Sequence, residues 1–117
     1  MKEAVVLFAH GSREPQWAQP FEALRAQLAA RCDVEVAFLE LMSPALDEAV
    51  ARLVARGARR VRVVPMFLGQ GGHLKRDLPV LAQAVCARHP GLELVLAPAI
   101  GEQAEVISAL VTLIARG

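Results

Sequence analysis

The stretch Ala4-Val5-Val6-Leu7-Phe8-Ala9-His10-Gly11-Ser12-Arg13 decides the fold. An apolar run of this length is too short for a buried helix and suits a strand, and the Gly-Ser pair with the acidic Glu14 soon after it marks a tight turn and a helix start. In an open parallel sheet, ligands bind outside the carboxyl ends of the strands. His10 is therefore expected to face solvent and substrate rather than the core.

Three more apolar runs, at about 34–39, 61–68 and 92–97, are rich in Val, Leu and Phe and read as strands. Helical spacing fills the intervals: Phe21, Leu24, Leu28; then Leu46, Ala49, Val50, Leu53, Val54; then Leu78, Leu81, Ala82, Val85; finally Val106, Leu110, Leu113, Ile114. Ser43-Pro44 reads as an N-cap followed by proline at the first helical position, and Gly57 as the close of that helix. The alternation βαβαβαβα predicts an α/β fold, a single three-layer domain over residues 1–117 with a parallel sheet and helices on both faces. Glu35 and Glu93 place the second and fourth strands at the edges, whereas the first and third are apolar enough for the centre. The order 2-1-3-4 follows. Right-handed crossovers then put the first helix on one face and the second and third on the other.

At 117 residues and 55% hydrophobic, the chain has the size and composition of one globular domain. A net charge of +1, a single Trp and no Tyr give no footprint for nucleic acid. The apolar runs fall well short of the ~20 residues that cross a bilayer, and the start Lys2-Glu3 opens no secretory pattern. No membrane contact and a cytoplasmic location are expected. Cys32 and Cys86 are read as late helical residues on opposite faces, unable to pair, which fits a reducing compartment.

A second histidine, His73, follows the third strand in Gly69-Gln70-Gly71-Gly72-His73. With the order 2-1-3-4, His10 and His73 flank the switch point between strands 1 and 3. The glycines, Gly71 and Gly72 included, are expected to adopt positive φ and let a ligand approach the backbone; a flexible loop or an anion cradle are the other readings. Glu40 ends the second strand in Phe38-Leu39-Glu40. Two imidazoles and a carboxylate can bind a divalent first-row metal and leave positions open for exchange, although Glu40 could equally be a solvated residue before the second helix. His89, before Pro90, reads as a charge partner of a helix C-terminus.

The blocks AHGSR (9–13), FLE (38–40) and PMFLGQGGHLKRDLP (65–79) resemble the short form of the sirohydrochlorin chelatases, class II chelatases of cobalamin, siroheme and nickel-tetrapyrrole synthesis. The resemblance covers essentially the whole chain. It implies a lyase that inserts Co²⁺, Fe²⁺ or Ni²⁺ as substrate into sirohydrochlorin, with no permanently bound cofactor. It also implies that His10 and His73 are catalytic and bind the incoming metal, that Glu40 is the acidic ligand, and that the chain works as a homodimer reproducing the two lobes of the long form.

The residues suit that chemistry. Insertion requires removal of two pyrrole protons and of water from the ion, and a neutral imidazole is a suitable acceptor near pH 7. Met66, Phe67, Leu68 and Leu74 offer an apolar wall for a flat ring, while Ser12, Arg13, Lys75 and Arg76 can meet its peripheral carboxylates. Trp17 is expected to pack on the first helix rather than stack on the ring. Two rival readings use the same residues: a metal carrier with a His10/His73/Glu40 site and no turnover, and a phosphotransfer enzyme with His10 as nucleophile. The latter lacks an arginine cluster, since only Arg13 adjoins His10. In the last helix Val106, Leu110 and Leu113 form one apolar stripe and Ile107, Val111 and Ile114 a second, more than one sheet can cover, so an interface is expected there.

Overall fold

The computed structural model describes residues 3–117, which leaves Lys2 outside. Its strands are β1 (Glu3–Ala9), β2 (Cys32–Phe38), β3 (Arg60–Pro65) and β4 (Glu93–Leu96), and its helices α1 (Gln19–Leu28), α2 (Leu46–Ala55), α3 (Gly72–Arg88) and α4 (Ala104–Ala115). Single 3-10 turns, Pro15–Ala18 and Ile100–Glu102, precede α1 and α4. The strands are parallel in the order β2-β1-β3-β4, as the placing of Glu35 and Glu93 predicts.

Alternation along β1 divides the core. Ala4, Val6 and Phe8 face α2 and α3, where Leu46, Val50, Leu53, Leu78 and Val85 close over them. Val5, Leu7 and Ala9 face the other way, toward Phe21, Leu24 and Leu28 of α1. Both faces of β1 are thus buried from Ala4 onward, which is why its sequence is apolar from Ala4 to Ala9. The carboxylates of the edge strands, and Glu3 at the start of β1, instead meet arginines. Arg56 donates to both Asp33 and Glu35, Arg52 to Glu35, Arg60 to Glu93 and Arg62 to Glu3. The two carboxylates hold the Arg56 guanidinium still further into its charged range.

Several local expectations are corrected. The second helix is not capped by Ser43: it starts at Leu46 with Ala45 before it, and the Ser43–Pro44 peptide is cis. The Pro44 carbonyl accepts the Phe38 N–H at 2.9 Å, tying this stretch to β2, while the Glu48 carboxylate accepts the Ala45 N–H at 3.1 Å. Gly57 does close the helix, at φ +102°, with its N–H on Val54 O and that of Ala58 on Leu53 O. β3 stops at Pro65 rather than 68, since after the Met66 N–H reaches Phe8 O the chain leaves the ladder. Cys32 is the first residue of β2, buried on the α1 face, and not helical; Cys86 lies on α3, and both thiols are free.

Helix α4 has no buried residue, and its substantial contacts are with the preceding Ile100–Glu102 turn. Ile107, Val111 and Ile114 are exposed as expected, and so is Leu113 of the other stripe. Among the described residues, no helix is long and apolar enough to cross a membrane.

Candidate active site

The carboxyl ends of β1, β2 and β3 are drawn together by backbone hydrogen bonds that continue past the strands. Leu39 N–H donates to Ala9 O at 2.9 Å, and Glu40 N–H to His10 O at 3.0 Å. Gly11 sits at φ +99°, and a Cβ there would lie 1.8 Å from the Glu40 carbonyl oxygen. Only glycine satisfies both demands, so Gly11 is required by packing whatever the chemistry of its neighbour. Ser12 Oγ accepts the Glu14 N–H at 3.1 Å and thereby shapes the turn into the 3-10 segment.

His10 is exposed at this edge, and its ring rests on Phe67 with centroids 4.7 Å apart. Phe67, only 9% exposed, also meets Phe8 edge-on at 6.4 Å. Phe67 is thus a backing for the imidazole more than an open wall for a ring. The third-strand exit is pinned from the far side by Gly101, whose N–H donates to Phe67 O at 2.9 Å. A Cβ on Gly101 would stand 2.3 Å from Leu68 Cα and O, so this contact is backbone on backbone. Neither arrangement carries a sequence signature.

The glycine-rich segment behaves differently from expectation. Neither Gly69, Gly71 nor Gly72 has positive φ; Gly71 caps α3 at φ −70°, ψ 165°, and Gly72 is its first residue. Each has open space where a Cβ would be, so these glycines leave the approach to His73 clear. His73 occupies the exposed first turn of α3, at the carboxyl edge beside β3. Lys75 is exposed and lines a groove of about 320 Å³ with Gln70, Leu78, Leu96, Ala97 and Glu102. Arg76 donates to Gly72 O at 3.3 Å, and Arg13 is exposed.

Apolar surface surrounds these groups unevenly. Leu68 is 74% exposed, whereas Met66 and Leu74 are half-buried against the two core clusters. Leu39 and Leu41, exposed beside Glu40, extend the apolar rim and were recognisable only as a continuation of the second run past its strand. Leu41 holds φ 70°. Trp17 lies in the 3-10 turn before α1 rather than on it, its ring tilted 49° against Phe21 at 4.9 Å and near Phe38 at 6.3 Å. Among the described residues no three His, Cys, Asp or Glu side chains converge as a ready cage for a metal, so His10, His73 and Glu40 share an edge without forming a closed triad. His89 lies at the C-terminus of α3, at the opposite end of the sheet.

Comparison with known proteins finds relatives of the same fold. The family described as CbiX matches residues 4–116. The sirohydrochlorin ferrochelatase of Priestia megaterium is 32% identical over 112 residues, spanning 93% of this chain and 42% of that protein. The sirohydrochlorin cobaltochelatase of Methanopyrus kandleri is 43% identical over 79 residues, 65% of this chain and 55% of that one. The chain thus spans about half the length of these curated relatives. Among solved structures, a cobalamin (vitamin B12) biosynthesis CbiX protein of Marinobacter aquaeolei VT8 superposes with a TM-score of 0.86 at 31% identity, covering 97% of this chain and 95% of that one. The sirohydrochlorin chelatase SirB of Bacillus subtilis subspecies spizizenii, in complex with cobalt, superposes at 0.82 with 28% identity, over 99% of this chain and 51% of that one. This chain belongs to the CbiX family.

Proposed function

We propose that this chain is a sirohydrochlorin chelatase that inserts a divalent metal, Co²⁺, Fe²⁺ or Ni²⁺, into the tetrapyrrole as a step of cobalamin or siroheme synthesis. The observation that carries the reading is the pair of exposed imidazoles, His10 after β1 and His73 opening α3 after β3, on the edge where the sheet order reverses. Family membership and the names of the relatives support the same chemistry.

In this reading His10 and His73 receive the metal and accept the pyrrole protons. Glu40 helps to capture the ion, and no cofactor is resident. An open set of ligands suits the task, because the ion must pass to four ring nitrogens and a closed protein cage would hold it back. The exposed Leu68 supports the flat face of the ring, with Leu74, Met66 and Phe67 beneath it and Gly71 and Gly72 leaving room. Arg13, Lys75 and Ser12 meet the peripheral carboxylates. The unit of 1–117 works as one domain in the cytoplasm. As one sheet edge offers only one wall to a macrocycle, the working form is a homodimer whose second copy supplies the other.

The test is direct. Sirohydrochlorin is mixed separately with Co²⁺, Fe²⁺ and Ni²⁺, and the absorption change is followed with and without protein. A rate above the uncatalysed one for at least one ion is expected. Equal rates for all three would contradict the assignment. A metal carrier would instead bind one equivalent tightly and leave the rate unchanged.

A further inference from the structure

Leu41 stands where neither its backbone nor its side chain suits a leucine. Among the described residues it is the single non-glycine with positive φ, at 70°. In that left-handed conformation the Cβ of an L-residue crowds the following carbonyl oxygen, a strain that glycine escapes and asparagine tolerates. Packing does not offset the strain, because the side chain is 57% exposed. A glycine or an asparagine would make the same turn without holding an apolar group in water.

The bonds around Leu41 fix the turn. Leu39 N–H donates to Ala9 O, Glu40 N–H to His10 O, and Phe38 N–H to Pro44 O, so residues 38–44 form a closed loop pinned to the end of β1. Met42 packs inward on the α1-side cluster. Leu41, between Glu40 and Met42, is left facing outward. A strained residue persists only where its surroundings over-determine it in this way, and such residues gather at functional sites.

The exposed leucine also belongs to a pair of apolar lips. Leu39 and Leu41 follow β2, and Leu68, the most exposed of the three, follows β3. Since β1 lies between those strands, their ends stand two strand spacings apart, roughly 10 Å, with His10 between them. A metal ion alone has no use for leucines on both sides of an imidazole, whereas a flat macrocycle centred on His10 would cover both lips. We infer that Leu41 is a substrate-binding residue: with Leu39 it seats the face of sirohydrochlorin on the β2 side of His10, as Leu68 does on the β3 side. The inference rests on the chelatase reading and deepens it, naming the residue that sets how the ring lies over Glu40 and His10.

The test titrates metal-free sirohydrochlorin into the full chain and follows the tetrapyrrole fluorescence, with thermal melts and steady-state metallation on the same samples. Leu41→Asn and Leu41→Gly keep the turn and remove the lip. Each should weaken ring binding by about three- to tenfold, as expected for loss of a partly buried leucine contact, and raise KM by a similar factor. Neither should melt below wild type, because both residues accept the left-handed turn. Leu41→Met, apolar and of similar length, should bind the ring within about twofold of wild type. Unchanged ring affinity in the Asn and Gly variants would overturn the inference and leave the chelatase reading standing. Affinity lost together with a lower melting temperature, or lost equally in Leu41→Met, would also overturn it. A wild-type chain that does not bind sirohydrochlorin would overturn the chelatase reading and the inference together.

Discussion

The His10 imidazole lies on the Phe67 ring with centroids 4.7 Å apart and planes tilted by 56°. No polar group of the described residues is bonded to the imidazole, so packing against Phe67 is what orients it while both nitrogens stay available. Phe67→Ala should release the ring and lower stability by about 3–5 kcal/mol, as for other buried aromatic truncations. Phe67→Leu should keep most of the stability and lose part of the activity. Thermal melts with metallation rates on the two variants separate these effects, and equal activity in wild type and Phe67→Ala would show that the backing is irrelevant.

Replacing either histidine should abolish function without disturbing the fold. His10→Ala and His73→Ala remove exposed side chains, so circular dichroism should be unchanged while metallation falls by orders of magnitude. Glu40→Gln should weaken capture of the ion and reduce the rate less. Near wild-type rates in both histidine variants would remove them from the site.

The two close backbone approaches should tolerate no side chain. Gly11→Ala drives a Cβ into the Glu40 carbonyl, and Gly101→Ala drives one into the Leu68 backbone. Each should lower the melting temperature, by roughly 4–8 °C for every kcal/mol lost in a domain of this size. Gly71→Ala and Gly72→Ala meet open space and should cost far less. A melting temperature for Gly101→Ala equal to that of wild type would contradict the geometry.

Charge at the rim should govern substrate affinity rather than the chemical step. Lys75→Glu places a carboxylate opposite those of the tetrapyrrole, so KM for sirohydrochlorin should rise several-fold, more at low salt than at high. The contrasting outcome, a fall in kcat with KM unchanged, would move Lys75 from ring binding to the reaction itself.

The sheet order was legible because burial on two sides and on one side writes different sequences: β1 is apolar at every position from Ala4 to Ala9, whereas β2 and β4 carry Glu35 and Glu93 for arginine partners. The position of His10 followed from the same logic, since a strand end is defined by where the apolar run stops. Features made by contacts distant in sequence were not legible. Phe67 reads as one more apolar residue of the third run until Phe8 and His10 close around it, and nothing in the sequence singles out Gly101, against which the Leu68 backbone lies. The Gly69–Gly72 segment misled in the opposite direction. Glycines suggest positive φ, but here their use is the absence of a side chain around His73.

The most direct measurement counts turnovers. With sirohydrochlorin and Co²⁺ each in tenfold or greater excess over protein, a chelatase should convert the substrate to its metallated form beyond one equivalent per chain, and His10→Ala should fall back to the uncatalysed rate. Conversion that stops at one equivalent, or that proceeds equally well without His10, would contradict the account.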